Sequence, residues 1–468
     1  MSENINEKYN PMESMNMTKL IMKFALPCVI AMIVSSLYNI VDQIFIGRCV
    51  GYIGNAATNV GFPLIIISQG IGLLFGDGVA ALYSIRLGKK DKKECSNIIG
   101  STLSALIIFS IIYLIISSFF LEKLMWYFGA TKTNISYVLD YMNIVNFTIP
   151  MSIFACGLSS IIRADGNPQY SMIALVTGVV INCALDALFM FGFKMGIKGA
   201  AYATLIGEII TTILCMRYVF HFKNINLKIS NLKIEIKLLC KVMLYGLPTL
   251  IIQLAVTLII IVSNNILTEY GALSAYGSDI PLAAMGIVMK VNDLLIGIIV
   301  GIGSGGQPIL GYNMGSHNIK RVKEAYFTLI KIASVVAIVG FILFQFCPQY
   351  IINLFGKDNG NLYNIFALKS FKIYLMLSLF IGFELISISF LQSIGSPIKS
   401  IILSLCKQTF YLIPLMIVFP KFLGVEGVLY AGPCAEALSV LTAVMLILKQ
   451  FKEFDDEDKV IKKVQVRY

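Results

Sequence analysis

Four side chains carry the densest potential chemistry in this sequence. Asp42, Asn182, Asp186 and Thr204 stand in stretches otherwise built of Ile, Leu, Val, Phe and Ala. Asn182 and Asp186 are four residues apart, so on a helix they share a face. Two carboxylates, an amide and a hydroxyl offer hard oxygen ligands that suit Na⁺. Alternatively, two close carboxylates raise each other's proton affinity and make a proton site. The plainer use of the same groups is a hydrogen-bond network between helices.

The elements that position them are legible from composition. Of the residues, 57% are hydrophobic and 13% charged, and the mean hydropathy is +0.81. An ordinary soluble domain carries about a quarter charged residues, and a disordered chain is far less apolar. A helix that crosses the hydrocarbon core needs about 20 mainly apolar residues. Twelve such runs appear, at 20–46, 57–85, 97–120, 139–162, 171–193, 199–220, 243–267, 282–309, 326–347, 370–393, 398–419 and 427–448. They are continuously apolar, without the two-residue period of barrel strands. An even number puts both termini on one side. With the termini inside, inner segments hold 25 Lys and Arg and outer ones nine, which places both termini in the cytoplasm. The net charge of +11 then reports on a membrane face, and nucleic acid is not an expected partner.

Depth within the spans sorts the ionisable residues. Span 1 ends near Gly47, so Asp42 lies about a turn and a half from its outer end. Asp186 lies two turns from the outer end of span 5, and Thr204 about a turn and a half into span 6. The four groups therefore converge on one outer layer of the first half. A charge within a span costs about 2.5–3.5 kcal/mol on insertion scales, which also singles out Asp77, Glu208, Lys290, Asp293, Glu384, Lys407 and Glu436. Lys290 and Asp293 are spaced to neutralise each other, Asp77 reads as a boundary residue, and Lys407 can snorkel. Glu384 reads as a substrate-cavity or second proton site. Pro27 lies on the helix that carries Asp42, where a bend would couple to its protonation.

The chain also repeats itself. Gly196, Gly199, Ala203 and Glu208 match Gly424, Gly427, Ala431 and Glu436 at one offset of 228 residues, and Gly166-Asn-Pro168 matches Gly395-Ser-Pro397 at 229. Six spans per half make parallel repeats about a central cleft. The expected organisation is a cytoplasmic tail (1–19), a first six-helix bundle (20–220), a basic cytoplasmic linker (221–241), a second bundle (242–448) and a second tail (449–468). Lysines at 223, 228, 233, 237 and 241 with leucines between them suggest an interfacial helix or a plain basic linker. Ten scattered cysteines and two distant histidines make neither a disulfide framework nor a metal site, and the polar start is not a secretory signal. No nucleophile–base motif points to an enzyme.

Several motifs resemble the multidrug and toxic compound extrusion (MATE) family. They are Pro27 through Gly47, Arg163-Ala-Asp-Gly-Asn-Pro168, Asn182-Cys-Ala-Leu-Asp186, Gly199-Ala-Ala-Tyr-Ala-Thr204 and Gly303-Ser-Gly-Gly-Gln-Pro308. The resemblance implies a V-shaped pair of six-helix bundles in a bacterial cell membrane. It implies antiport of organic cations or amphipathic drugs against Na⁺ or H⁺ by alternating access, as a monomer among lipids and without a cofactor. Asp42, Asn182, Asp186 and Thr204 map to the family's first-half cation site, and Tyr38 to a cavity-lining position. The acid that some members carry in span 7 has no counterpart between Leu247 and Gln253. Glu384 stands in span 10, where some members carry an Asp. The alternative within the same superfamily is a flippase for a lipid-linked precursor, which would need cationic groups in the cleft.

Overall fold

The computed structural model describes residues 11–355 and 361–465. These residues are nearly all helical. Spans 1 to 9 are Met17–Cys49, Ile53–Gly88, Lys92–Tyr127, Ile135–Ala164, Pro168–Gly192, Ile197–Val219, Ile236–Ala272, Asp279–Gly315 and Ile319–Phe346. Span 10 is broken into Asn361–Tyr374 and Ser378–Ser393, which meet at 42°. The remaining apolar run, Pro397–Asp456, has 60 residues. As one straight helix it would be about 90 Å long against a core of about 30 Å. It instead reverses at Gly424, whose φ of +62° suits a residue without a Cβ, and makes spans 11 (397–423) and 12 (Gly427–Gln465). Among the described residues the long apolar helices then number twelve, as the apolar runs predict.

The repeat extends to the backbone. Gly196 opens span 6 with φ 61° and ψ −141°, and Gly424 precedes span 12 with φ 62° and ψ −151°. The turn glycines Gly166 and Gly395 have φ of 90° and 89°.

Two hydrophobic cores form, one per six-helix bundle, and they exchange helix ends. The core of the first half takes in Leu238 and Val242 from the start of span 7. The core of the second half takes in Met17, Leu20, Ile21, Phe24 and Ala25 from the start of span 1. Glycines permit the crossings. A Cβ built on Gly246 of span 7 would sit 1.7 Å from the Leu74 carbonyl oxygen of span 2, and one on Gly305 of span 8 would sit 2.5 Å from Ala25 Cα of span 1. Gly88 and Gly315 likewise bring spans 2 and 8 together. All these contacts lie toward the end that carries the termini. Gly297 meets Ser36 about halfway along, and Asp42 lies six residues, roughly 9 Å, closer to the open end. The halves thus form a V closed at the terminal end.

The interfacial-helix expectation for 221–241 fails. Only Ile229–Leu232 makes a short 3-10 turn, and helix resumes at Ile236. The segment is a strap pinned to the first half. The buried Asp165 carboxylate accepts from Tyr83 (2.7 Å), Tyr218 (2.9 Å) and the Lys223 and Asn224 amides (2.7 and 3.3 Å). Farther on, Ser104 donates to Leu232 O (2.6 Å) and Asn231 to Asn97 (2.7 Å). Backbone groups that an interfacial helix would bond internally are satisfied by the bundle instead.

Candidate functional site

Among the described residues, three polar clusters within the spans bring together most of the ionisable groups singled out by sequence. The first lies in the first half, toward the open end of the V, and gathers the four residues singled out by sequence. Asn182 closes span 5 against span 6 because both helices are small there. A Cβ on Gly207 would come 2.9 Å from Asn182 Cβ, and one on Gly178 would come 1.8 Å from Thr211 Oγ1. This close approach lets Asn182 Nδ2 donate to Thr204 Oγ1 (3.3 Å), while Thr204 donates to Ala200 O (3.0 Å). Asp186 is fully buried and Asp42 is 7% exposed, and the two carboxylates are close enough to sense each other's charge. Both Asp186 oxygens, Asp42 Oδ1 and Asn182 Oδ1 meet no protein donor. Span 5 passes into a π-helix at Ala187–Gly192 directly after Asp186, a local widening common at functional sites.

Two phenols complete the cluster. Tyr38, one turn before Asp42, and Tyr141 of span 4 are neighbours of Thr204, Asp42 and Asp186. Tyr141 escapes sequence reasoning, because one tyrosine among 22 in an apolar chain reads as core. Pro27 is buried within an unbroken span 1, between Ala25 and Val29, which meet Gly305 and Gly301 of span 8.

The second cluster lies in the second half. Lys407 Nζ hydrogen-bonds Glu384 Oε2 and lies 2.7 Å from Glu436 Oε2, while Ser439 donates to Glu384 Oε1 (2.5 Å). Lys407 is therefore directed inward to two carboxylates, and the snorkelling expectation fails because its ammonium is taken up by Glu384 and Glu436. Glu384 has no exposed surface, so it does not itself line a cavity. Lys290 and Asp293 are both exposed rather than paired, and Asp293 instead senses Tyr374 beside Lys407 and Glu436. Glu208, the repeat counterpart of Glu436, is half-buried near Cys156.

The third cluster ties the halves together. Asp77 of span 2 accepts from Ser160 (2.7 Å) and from Thr249 of span 7 (3.1 Å), and Arg163 lies 3.7 Å away. Gln307 of span 8 donates to the Asp77 carbonyl (3.3 Å), and Gln392 of span 10 to Tyr245 O (2.7 Å). Asp77 thus links the two bundles, a different role from the membrane-boundary position expected at the inner end of span 2. Among the described residues, no group of three His, Cys, Asp or Glu side chains is arranged to hold a metal ion.

Known proteins share this fold. The MatE family profile matches residues 27–188 and 248–418, one stretch in each half. The multidrug export protein MepA of Staphylococcus aureus (strain MRSA252) is 25% identical over 433 residues, 92% of this chain and 93% of its own. The MATE multidrug transporter DinF-BH, solved as a complex, is 31% identical with a TM-score of 0.86, covering 94% of this chain and 97% of its own. An outward-facing MATE transporter of the MOP superfamily superposes with a TM-score of 0.87 at 21% identity, covering 94% and 97%.

Proposed function

For a chain that belongs to the MATE family of membrane transporters, we propose a drug exporter driven by inward movement of Na⁺ or H⁺ through the first-half cluster. The observation that carries this reading is Asp186, fully buried, with two oxygens that no protein donor meets and a second carboxylate beside it. Two buried carboxylates without a cation are costly in a membrane interior, so the cluster demands positive charge. Asn182 and Thr204 add neutral oxygens that serve Na⁺, and Tyr38 and Tyr141 add hydroxyls that stabilise either occupant.

The lean of Lys and Arg toward the terminal-side segments supports cytoplasmic termini. The V then opens to the outside. In that state the cluster takes up its cation, loses negative charge and releases an organic cation outward. The Asp77 cluster and the glycine crossings keep the inner end shut meanwhile. Once the substrate has left, the halves rock about these contacts and deliver the coupling ion inside. Export of organic cations or amphipathic drugs is in keeping with the multidrug export of MepA and the multidrug transport of DinF-BH. A flippase for an anionic precursor is disfavoured because Lys407, one of two intramembrane cations suited to bind it, is spent on Glu384 and Glu436.

The test uses proteoliposomes loaded with ethidium. Asp42→Asn and Asp186→Asn should each abolish ion-driven transport in protein that still inserts. Full transport in both variants refutes the assignment.

A further inference from the structure

The second-half cluster carries a charge imbalance. It holds two carboxylates and one ammonium, and every other group facing it is neutral or acidic. Lys407 comes from span 11, Glu384 from the second segment of span 10, and Ser439 from the same helix as Glu436. Tyr374 comes from the first segment of span 10, and Asp293 approaches from span 8. One negative charge therefore lacks a partner. The hydrogen bonds say where it resides. Both oxygens of Glu384 are taken, one by Ser439 and one by Lys407. Glu436 gives Oε2 to Lys407, and its Oε1 meets no donor although the residue is only 6% exposed.

The repeat points to the same residue. The offset of 229 that aligns Gly166-Asn-Pro168 with Gly395-Ser-Pro397 sets Ala155 against Glu384 and Gly178 against Lys407. The first half therefore lacks both members of the ion pair. The pair is neutral as a unit. What remains in each half is one glutamate at the same repeat position, Glu208 or Glu436.

We propose that Glu436 is a second proton-binding residue, on the half that lacks the aspartate pair, and that Lys407 and Glu384 form a fixed ion pair that positions it. The ligand is a proton rather than Na⁺. Lys407 Nζ already fills the space between the carboxylates, and one remaining oxygen does not make a coordination shell for a hard cation. The proton adds to Glu436 Oε1 and takes the Lys407–Glu384–Glu436 triad from one net negative charge to zero. It leaves by the reverse step. Tyr374 and the exposed Asp293 are the cluster's titratable neighbours.

Infrared difference spectroscopy of the full chain in liposomes, between alkaline and acid buffer, tests this directly. Wild-type protein should show a protonated-carboxyl band that Glu436→Gln reduces by one carboxyl equivalent. Glu384→Gln should remove the same component with Glu436 still present, because Lys407 then neutralises Glu436 alone. The charge-neutral double substitution Glu384→Gln with Lys407→Gln should retain it. An unchanged band in Glu436→Gln, or in Glu384→Gln, overturns the proposal. The component should persist in protein carrying Asp42→Asn and Asp186→Asn, so failure of this site and failure of the first-half coupling site read differently.

Discussion

Gly246→Ala is the smallest change that attacks the closed end of the V. The added Cβ would stand 1.7 Å from the Leu74 carbonyl oxygen, with Leu74 C at 2.6 Å and Cα at 3.0 Å. These are backbone atoms, so no side chain can swing aside. Ordinary contact requires span 7 to withdraw from span 2 by roughly 1.5 Å, and overpacking of this kind costs about 1–3 kcal/mol. That withdrawal also stretches the Thr249–Asp77 hydrogen bond one turn away. The cost falls on the state in which spans 2 and 7 touch. A state open at the terminal end separates them and escapes it. The ratio of the two states should therefore shift by about 5- to 150-fold toward opening at that end. Spin labels at Lys89 and Ser316, which are exposed and face each other across the repeat axis, report this in protein freed of its native cysteines. Wild-type protein should give one short distance, and Gly246→Ala a second, longer one. A single short distance in the variant, with unchanged thermal stability, refutes the view that this contact is the inner closure.

Other consequences are more local. Gly178→Ala pushes against Thr211 Oγ1 at 1.8 Å, so spans 5 and 6 must part and the Asn182–Thr204 bond should break. Ion-driven ethidium transport should fall while Gly286→Ala, with open space around it, transports normally. Lys407→Met leaves Glu384 and Glu436 facing each other and should cost about 3–5 kcal/mol in thermal unfolding, with partial rescue by Glu436→Gln. Asp165→Ala strands the hydroxyls of Tyr83 and Tyr218, at about 1–3 kcal/mol for each buried group left unmet. It should also expose the strap at 222–232 to protease, and intact resistance there would contradict its anchoring role.

The first-half cluster was legible because each of its members could be placed by helix arithmetic. Counting residues from span ends set Asp42, Asp186 and Thr204 at one depth, and the four-residue spacing put Asn182 beside Asp186. Tyr141 carried no comparable signal, since a phenol in an apolar run packs like any aromatic residue until a neighbour supplies a partner. The Lys407 cluster carries a signal only when its members are taken together: one intramembrane cation and two intramembrane acids in the same half favour pairing in lipid. The strap misled because lysines spaced four or five apart suit a helix, whereas Asn224, Ser230 and Asn231 favour turns and Asp165 takes the amides that a helix would use. The exchange of helix ends between halves was invisible in sequence. It depends on which glycine meets which backbone, and that requires the fold.

The central claim is that cation uptake at Asp42 and Asp186 drives export. The most direct measurement is ethidium transport by proteoliposomes under an imposed Na⁺ gradient or an imposed pH gradient, each alone, with wild-type and Asp186→Asn protein. The account predicts that at least one gradient drives uphill transport in the wild type and that Asp186→Asn responds to neither. Transport indifferent to both gradients, or a response that survives in Asp186→Asn, would contradict it.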